Sequence, residues 1–146
     1  IELTSAITTA IYNSERSKAV APRALARALT LPAHVSRNPK AHPLLLTVMA
    51  LFSQFRDYFT VNYLRWLSRH RGKPFPSDAE LMRTLRKSNV YAVGEIKQLS
   101  TAWDNRKVFR ILGLLREYDA KSKGINTGGA PDGELLRELL LKIFLL

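Results

Sequence analysis

Few residues of the kind that carry enzyme chemistry occur in this chain of 146 residues. There is no cysteine, which excludes a thiol nucleophile, a disulfide framework and every cysteine-based zinc or iron–sulfur site. The histidines, His34, His42 and His70, lie in or beside predicted loops and lack the H-E-x-x-H spacing of zinc enzymes. The phosphate-cradling pattern G-x-x-x-x-G-K-[ST] is also absent. We therefore expect no cofactor, no metal ion and no catalytic residue, and a small helical enzyme is the least favoured class.

Positive charge is the most informative feature of the composition. Lys and Arg number 23 against 12 Asp and Glu, which gives a net charge of +11 and favours a polyanionic partner. Basic residues gather at Arg65–Lys73, at Arg83–Lys87 and at a predicted helix start that carries Arg106, Lys107 and Arg110. Cations at a helix start oppose its macrodipole, so local helix electrostatics do not explain them. Phosphate contact and a solvated cationic face remain alternative interpretations.

The elements that position these residues are all predicted to be helical. Apolar residues recur at spacings of three and four, and no alternating strand pattern is present. Ser77 and Glu80 fit a capping box, Asn89 is expected to end the helix that they begin, and Asp104 is suited to cap another helix. The prediction is an all-α, compact bundle of six or seven helices, at Thr4–Tyr12, after Pro22, from Pro43 to about His70, after Ser77, at Val90–Trp103, after Asp104 and from about Asp132.

The long helix after Pro43 is apolar almost all round, which is typical of a central, buried helix. Its aromatic residues could form a base-stacking platform, but their helical spacing favours packing in the core. We expect core positions for Phe52, Phe55, Tyr58, Phe59, Tyr63 and Trp66.

The last helix has a wide apolar face for a terminal element, with a Glu138–Lys142 pair on its other side. Such a face packs either inside the bundle or against a neighbouring subunit. The candidate subunit-interface residues on it are Leu135, Leu139, Ile143 and Phe144.

No segment is predicted to span a membrane, because the apolar run Leu44–Phe52 is followed at once by polar and charged residues. The N-terminus lacks both the pattern of a signal peptide and an initiator Met. We expect the chain to be one helical domain, residues 1–146, from the C-terminal part of a longer protein.

Two stretches carry a family resemblance. The first is Asn38–Phe52, which reads NPKAHPLLLTVMALF, and the second is Lys107–Gly124, KVFRILGLLREYDAKSKG, followed by Asp132–Leu139, DGELLREL. Together they resemble the C-terminal, collar part of the delta subunits of bacterial DNA polymerase III, which are clamp-loader components. The resemblance runs from about Asn38 to the end of the chain, and departs from the family at Thr30–Arg37 and Arg69–Pro76.

This resemblance implies a helical module that joins the other clamp-loader subunits in a ring above primer–template DNA in the bacterial cytoplasm. It implies no ATP hydrolysis by this chain, and it assigns contact with the sliding clamp to N-terminal domains of the AAA+ type that are absent here. It also implies DNA contact near the Gly-containing loop Ser122–Pro131, through the motif residues Tyr118, Asp119, Ser122, Lys123 and Gly124. The candidate DNA-facing residues are Lys121, Ser122, Lys123 and Gly124 at this loop, together with Arg106, Lys107 and Arg110 from the distribution of positive charge.

An independent basic, helical nucleic-acid-binding domain is the alternative. The segment Ser77–Trp103 contains two predicted short helices and a tight turn, which loosely matches a helix-turn-helix. On that hypothesis Arg83 and Arg86 would contribute to binding of duplex DNA.

Overall fold

A computed structural model describes residues 7–9, 11–12 and 44–146, and their regular structure is entirely helical. The helices run in the order α1 (Leu44–Arg71), α2 (Asp78–Leu85), α3 (Val90–Ser100), α4 (Asn105–Ser122) and α5 (Asp132–Phe144). Residues 7–9 and 11–12 are also helical, and the predicted apolar pair Ile7 and Ile11 is buried in the core. The predicted all-α bundle is confirmed. The predicted helix after Pro22 and the proline-bearing loop before Pro43 lie outside the described residues.

Helix α1 is the centre of the bundle and packs most extensively against α4. The two helices run antiparallel, because Asn105 at the start of α4 donates from Nδ2 to the Phe59 carbonyl at 3.2 Å while Leu115 lies near Val48. Their facing sides carry apolar residues at helical spacing, which form the core together with α5: Leu44, Val48, Leu51, Phe55, Tyr58 and Val61 on α1, and Val108, Ile111, Leu115 and Tyr118 on α4.

The expectation that all the α1 aromatics pack in the core is wrong for three of them. Phe55 and Tyr58 are buried, but Phe52, Tyr63 and Trp66 are exposed by 38%, 48% and 44%. Tyr63 and Trp66 are exposed because α4 begins level with Phe59 and the last three turns of α1 extend past it, whereas Phe52 lines a groove beside Leu115 and Arg116 of α4. The predicted central helix is therefore buried only in its first two thirds.

Local capping signals position the short helices as predicted. The Ser77 hydroxyl accepts from the Glu80 amide at 3.3 Å and the Glu80 carboxylate accepts from the Ser77 amide at 3.1 Å. Asp104 accepts from the Lys107 amide at 2.7 Å and begins α4. Asn89 begins α3 by accepting from the Ala92 amide, so the prediction that it ends α2 is wrong. Helix α3 also ends at Ser100 rather than at Trp103.

Helix α2 ends at Leu85, and the residue that follows it, Arg86, adopts the left-handed conformation with φ 55°. The Lys87 amide donates back to the Met82 carbonyl at 2.8 Å, which closes a Schellman-type turn. This conformation costs a residue with a side chain about 1 kcal/mol, whereas glycine adopts it freely.

We expect Arg86→Gly to raise the free energy of unfolding by about 0.5–1 kcal/mol. The neighbouring substitution Arg83→Gly, inside α2, is the matched control and should lower it by about 1 kcal/mol. Urea unfolding followed by circular dichroism measures both changes. Destabilisation by Arg86→Gly would contradict the assigned turn.

A largely buried ion pair fastens α1 to the turn between α2 and α3. Lys87 Nζ lies 2.9 Å from Asp57 Oδ2, and the Asp57 side chain is only 5% exposed. Tyr58 and Glu95 line the same small cavity. Burial raises the pKa of Tyr58, and the charges of Glu95 and Asp57 raise it further. Lys87 is therefore the cation that balances the buried Asp57 carboxylate.

The predicted interface residues of α5 lie in the core of the chain itself. Leu139 is 0% exposed, Ile143 1% and Leu135 2%, and Phe144 packs against the same core. Helix α5 turns its wide apolar face towards α4 and α1, so Leu135, Leu139 and Ile143 are not available to a neighbouring subunit. The prediction of a subunit interface is therefore wrong for these three residues, whereas for the half-buried Phe144 it stays a prediction.

Candidate nucleic-acid interface

The lysines beside the Gly-containing loop are neutralised by carboxylates. Lys121 Nζ lies 3.6 Å from both Glu117 and Glu138, and Lys123 Nζ lies 2.9 Å from Asp119. Lys142 of α5 joins the same network, at 3.1 Å from Glu138. In this cluster three lysines face three carboxylates, so this end of α4 offers little net charge to a phosphate.

The other motif residues at this end have structural roles. Tyr118 is fully buried, and the ammonium groups of Lys121 and Lys142 lie over its ring at 4.6 and 5.2 Å. The Ser122 hydroxyl donates to the Asp119 carbonyl at 2.6 Å, and Gly124 begins the loop with a φ of 88°. These contacts stabilise the α4–α5 junction, and they occupy the groups that the family resemblance would assign to DNA.

The same network predicts a pH dependence. The adjacent Tyr118 hydroxyl and Lys142 ammonium lower the pKa of Glu138, while burial raises the pKa of Tyr118 to about 12. Because the pKa of Glu138 is lower in the folded state, its carboxylate stabilises the fold at any pH above the ordinary pKa of a glutamate. That contribution disappears as the pH falls through the folded-state pKa. A raised tyrosine pKa has no cost at neutral pH but destabilises the fold as the pH rises from about 10 towards 12.

We expect Glu138→Gln to lower the free energy of unfolding by about 0.5–1 kcal/mol at neutral pH, because the Glu138 side chain is 47% exposed and its ion pairs are screened. The difference from the unsubstituted protein should vanish by about pH 3, where the carboxyl group is protonated in both states. Urea unfolding at the two pH values measures it. A difference that persists undiminished in acid would contradict the ion-pair explanation.

The basic residues at the other end of α4 are placed differently. Arg106 and Arg110 are exposed and pair with no carboxylate in the described part of the chain, and Lys107 is half-buried. Fifteen residues of helix, or about 22 Å, separate Arg106 from Lys121. The seven predicted DNA-facing residues therefore do not form one site, and among them Arg106 and Arg110 are the exposed, unpaired cations.

The end of α1 carries an exposed series of stacked rings. The ring centroids of Tyr63 and Trp66 are 6.3 Å apart at an interplanar angle of 10°, and those of Trp66 and His70 are 5.0 Å apart at 21°. The Arg71 guanidinium lies 5.8 Å from the centre of the Trp66 ring. Exposed aromatic faces beside arginine are the usual surface for unpaired nucleic-acid bases.

A cleft of about 650 Å³ lies between this stack and the turn that joins α3 to α4. Tyr63, Trp66, Arg69 and His70 line one side, and Trp103 and Asn105 lie among the residues of the other. Arg65 is fixed in the wall by hydrogen bonds to Asn62, to the Ser100 hydroxyl at 2.7 Å and to the Lys97 carbonyl at 2.6 Å.

The cleft is electropositive. Burial lowers the pKa of Arg65, and the adjacent positive charge of Arg69 lowers it further. Asp104 is the acidic residue that lines the cleft, and its carboxylate caps α4. The cations here consequently lack the carboxylate partners that neutralise Lys121 and Lys123.

The turn between α2 and α3 does not present a comparable surface. The exposed residues of α3 are Val90, Tyr91, Gly94, Glu95 and Gln98, and the basic residue Lys97 pairs with Asp78 at 3.0 Å. Arg83 of α2 and Arg86 just after it are exposed and pair with no carboxylate among the described residues, but no stacked rings and no cleft of similar size lie beside them in that part of the chain. The geometry thus favours the α1–α4 side over the helix-turn-helix alternative.

The sequence pointed to the basic residues around His70 but not to the exposed stack beside them. The sequence nevertheless contains a signal for this exposure. The core-facing positions of α1, followed at helical spacing from Phe55 and Tyr58, arrive at two polar residues, Asn62 and Arg65. This change predicts that the core ends near Val61 and that Tyr63 and Trp66 lie outside it.

The described residues contain neither a metal-binding cluster nor a membrane-spanning helix. No three His, Asp or Glu side chains among them are grouped so as to hold a metal ion. Within the same part of the chain, no helix combines the length and the hydropathy that crossing a membrane requires.

Comparison of the chain with protein-family models, with curated proteins and with solved structures finds no match.

Proposed function

We propose that this chain is a collar-type assembly module of a bacterial DNA polymerase III clamp loader, of the delta kind. It acts in the cytoplasm, packs against sister loader subunits and lies beside primer–template DNA. It contributes no bond-making or bond-breaking step of its own.

One contact carries the proposal beyond the sequence resemblance. The Leu44 amide at the start of α1 donates to the Asp132 carboxylate at the start of α5 at 3.1 Å, across 88 positions of sequence. These residues belong to the two separate stretches that resemble the delta family. The stretches therefore meet in one helical unit, as parts of a single module would.

The apolar surface that remains accessible supports an assembly role. Leu46, Met49 and Phe52 are exposed by 59%, 56% and 38% on the first half of α1. Met49 and Phe52 line a groove of about 530 Å³ together with Arg56 and Arg116. An apolar strip with a basic rim is the composition expected of an interface with another subunit.

Affinity isolation tests the proposal. The protein that carries this sequence is tagged in its native cell, and the proteins isolated with it are identified by mass spectrometry. The expected result is stoichiometric recovery of the ATPase subunits of the clamp loader. Recovery of a different complex, or of the tagged protein alone, would contradict the proposed function.

Paired variants locate the interface. We expect Leu46→Asp with Met49→Asp to reduce recovery of the partners at least tenfold while leaving thermal unfolding unchanged, because both side chains are exposed. Val90→Asp, at an exposed apolar residue on α3, is the control and should leave recovery intact. If the double variant recovered its partners as well as the unsubstituted protein does, the assignment of the interface to this strip of α1 would be contradicted.

A further inference from the structure

We propose that the cleft at the end of α1 binds an unpaired nucleotide of single-stranded DNA. The base extends the stack of Tyr63, Trp66 and His70, and the adjoining phosphates contact Arg69 and Arg71. This inference rests on the proposed function and deepens it, because it assigns the contact with DNA to particular residues and to one kind of strand.

The first argument is the exposure of the rings. Tyr63 and Trp66 leave about half of their surfaces in solvent although the core of the bundle is only a few residues away. They stack almost parallel to each other, at 10°, and His70 stacks on Trp66 in turn, so the faces left open to a base are those at the ends of the stack. A base that is already unstacked gains favourable contact with such a face, whereas a base inside a duplex cannot reach it.

The second argument is the charge around the rings. Arg69 and His70 line the cleft, and Arg71 lies over Trp66. No carboxylate of the described residues pairs with these three side chains. A nucleic-acid strand complements both features, because its phosphates pair with the cations and its bases stack on the rings. An acidic peptide without aromatic residues complements only the cations.

The third argument is a pair of buried polar atoms on residues that line the cleft. The Trp103 indole nitrogen, a donor, and the Asn105 side-chain oxygen, an acceptor, are buried without a hydrogen-bond partner. The edges of nucleobases carry both donors and acceptors. A bare phosphate supplies acceptors alone and would leave the Asn105 oxygen unpaired.

Binding of a fluorescein-labelled oligothymidylate of about 20 nucleotides, followed by fluorescence anisotropy, tests the inference on the full protein that carries this sequence. A blunt duplex of equal length is the competing probe. We expect the single strand to bind more tightly, with a dissociation constant below about 100 µM at physiological salt. Absence of measurable binding up to that concentration, or preference for the duplex, would overturn the inference.

Variants identify the site. Trp66→Ala should weaken binding of the oligothymidylate about tenfold, because the stack that the base extends loses its middle ring. Phe52→Ala removes another exposed ring, at the opposite end of α1, and should leave affinity unchanged. Arg71→Gln should reduce the slope of log affinity against log salt by about 0.7, whereas Arg83→Gln on α2 should not change it.

The outcomes separate this inference from the proposed function. If the protein binds the single strand and Trp66→Ala does not weaken that binding, the inference about the cleft is overturned, whereas the proposed clamp-loader function is not. If no loader subunit is isolated with the protein, but the cleft variants change oligothymidylate binding as expected, only the clamp-loader assignment is overturned. Protection of Trp66 from acrylamide quenching by a loader subunit, with no effect of the oligothymidylate, would show that a protein occupies the cleft and would overturn the inference.

Discussion

Leu139→Asp will unfold this protein rather than detach it from a partner. Leu139 is completely buried between helices of its own chain, so the substitution places an uncompensated carboxylate in the core. Truncation to alanine alone removes about 2–5 kcal/mol at such a site, and the charge adds to that cost. The total is comparable with the whole stability of a small domain.

Circular dichroism at 222 nm during urea unfolding measures this effect. Leu145→Asp is the matched control, because Leu145 follows the same helix, is 79% exposed and should tolerate the change within about 0.5 kcal/mol. If Leu139→Asp retained the unfolding midpoint of the unsubstituted protein, α5 would not be the core helix described above. Loss of partner binding by Leu139→Asp is therefore no measure of an interface.

Lys87→Met is expected to have the second largest effect, a loss of about 3 kcal/mol in the free energy of unfolding. The substitution leaves the buried Asp57 carboxylate without its cation, close to a second carboxylate at Glu95. Unfolding in urea at neutral pH measures the loss.

A second variant separates the ion pair from the packing of the lysine side chain. In the double variant Lys87→Met with Asp57→Leu both charges are absent, and buried ion pairs replaced by apolar groups are often tolerated. We therefore expect the double variant to regain most of the lost stability. A double variant less stable than Lys87→Met alone would contradict the buried-charge explanation.

Local signals were sufficient to predict most of the helix starts. The capping box at Ser77 and the cap at Asp104 depend on side-chain bonds within three residues, so the sequence contains all that determines them. The end of α2 was not predictable in the same way. Arg86 takes a left-handed conformation that usually requires glycine or asparagine, and the sequence offers neither there.

Long-range packing decided the features that the sequence did not reveal. The rings of Tyr63 and Trp66 are exposed because α4 begins opposite Phe59, which depends on how two helices are set against each other. Lys121 is neutralised partly by Glu138 of α5, across a loop, and no periodicity within α4 predicts that contact. The sequence therefore placed the candidate DNA contact at the loop, whereas in the structure the exposed rings and the unpaired Arg69 and Arg71 lie at the cleft.

Clamp loading by a reconstituted complex tests the central claim most directly. The measurement is ATP-dependent loading of the ring-shaped clamp onto primed circular DNA by the proteins isolated with this chain. It is made with the full protein and with a version that lacks residues 44–146. The account predicts that the shortened version fails to join the complex and that loading is lost, whereas assembly and loading that are unchanged without residues 44–146 would contradict it.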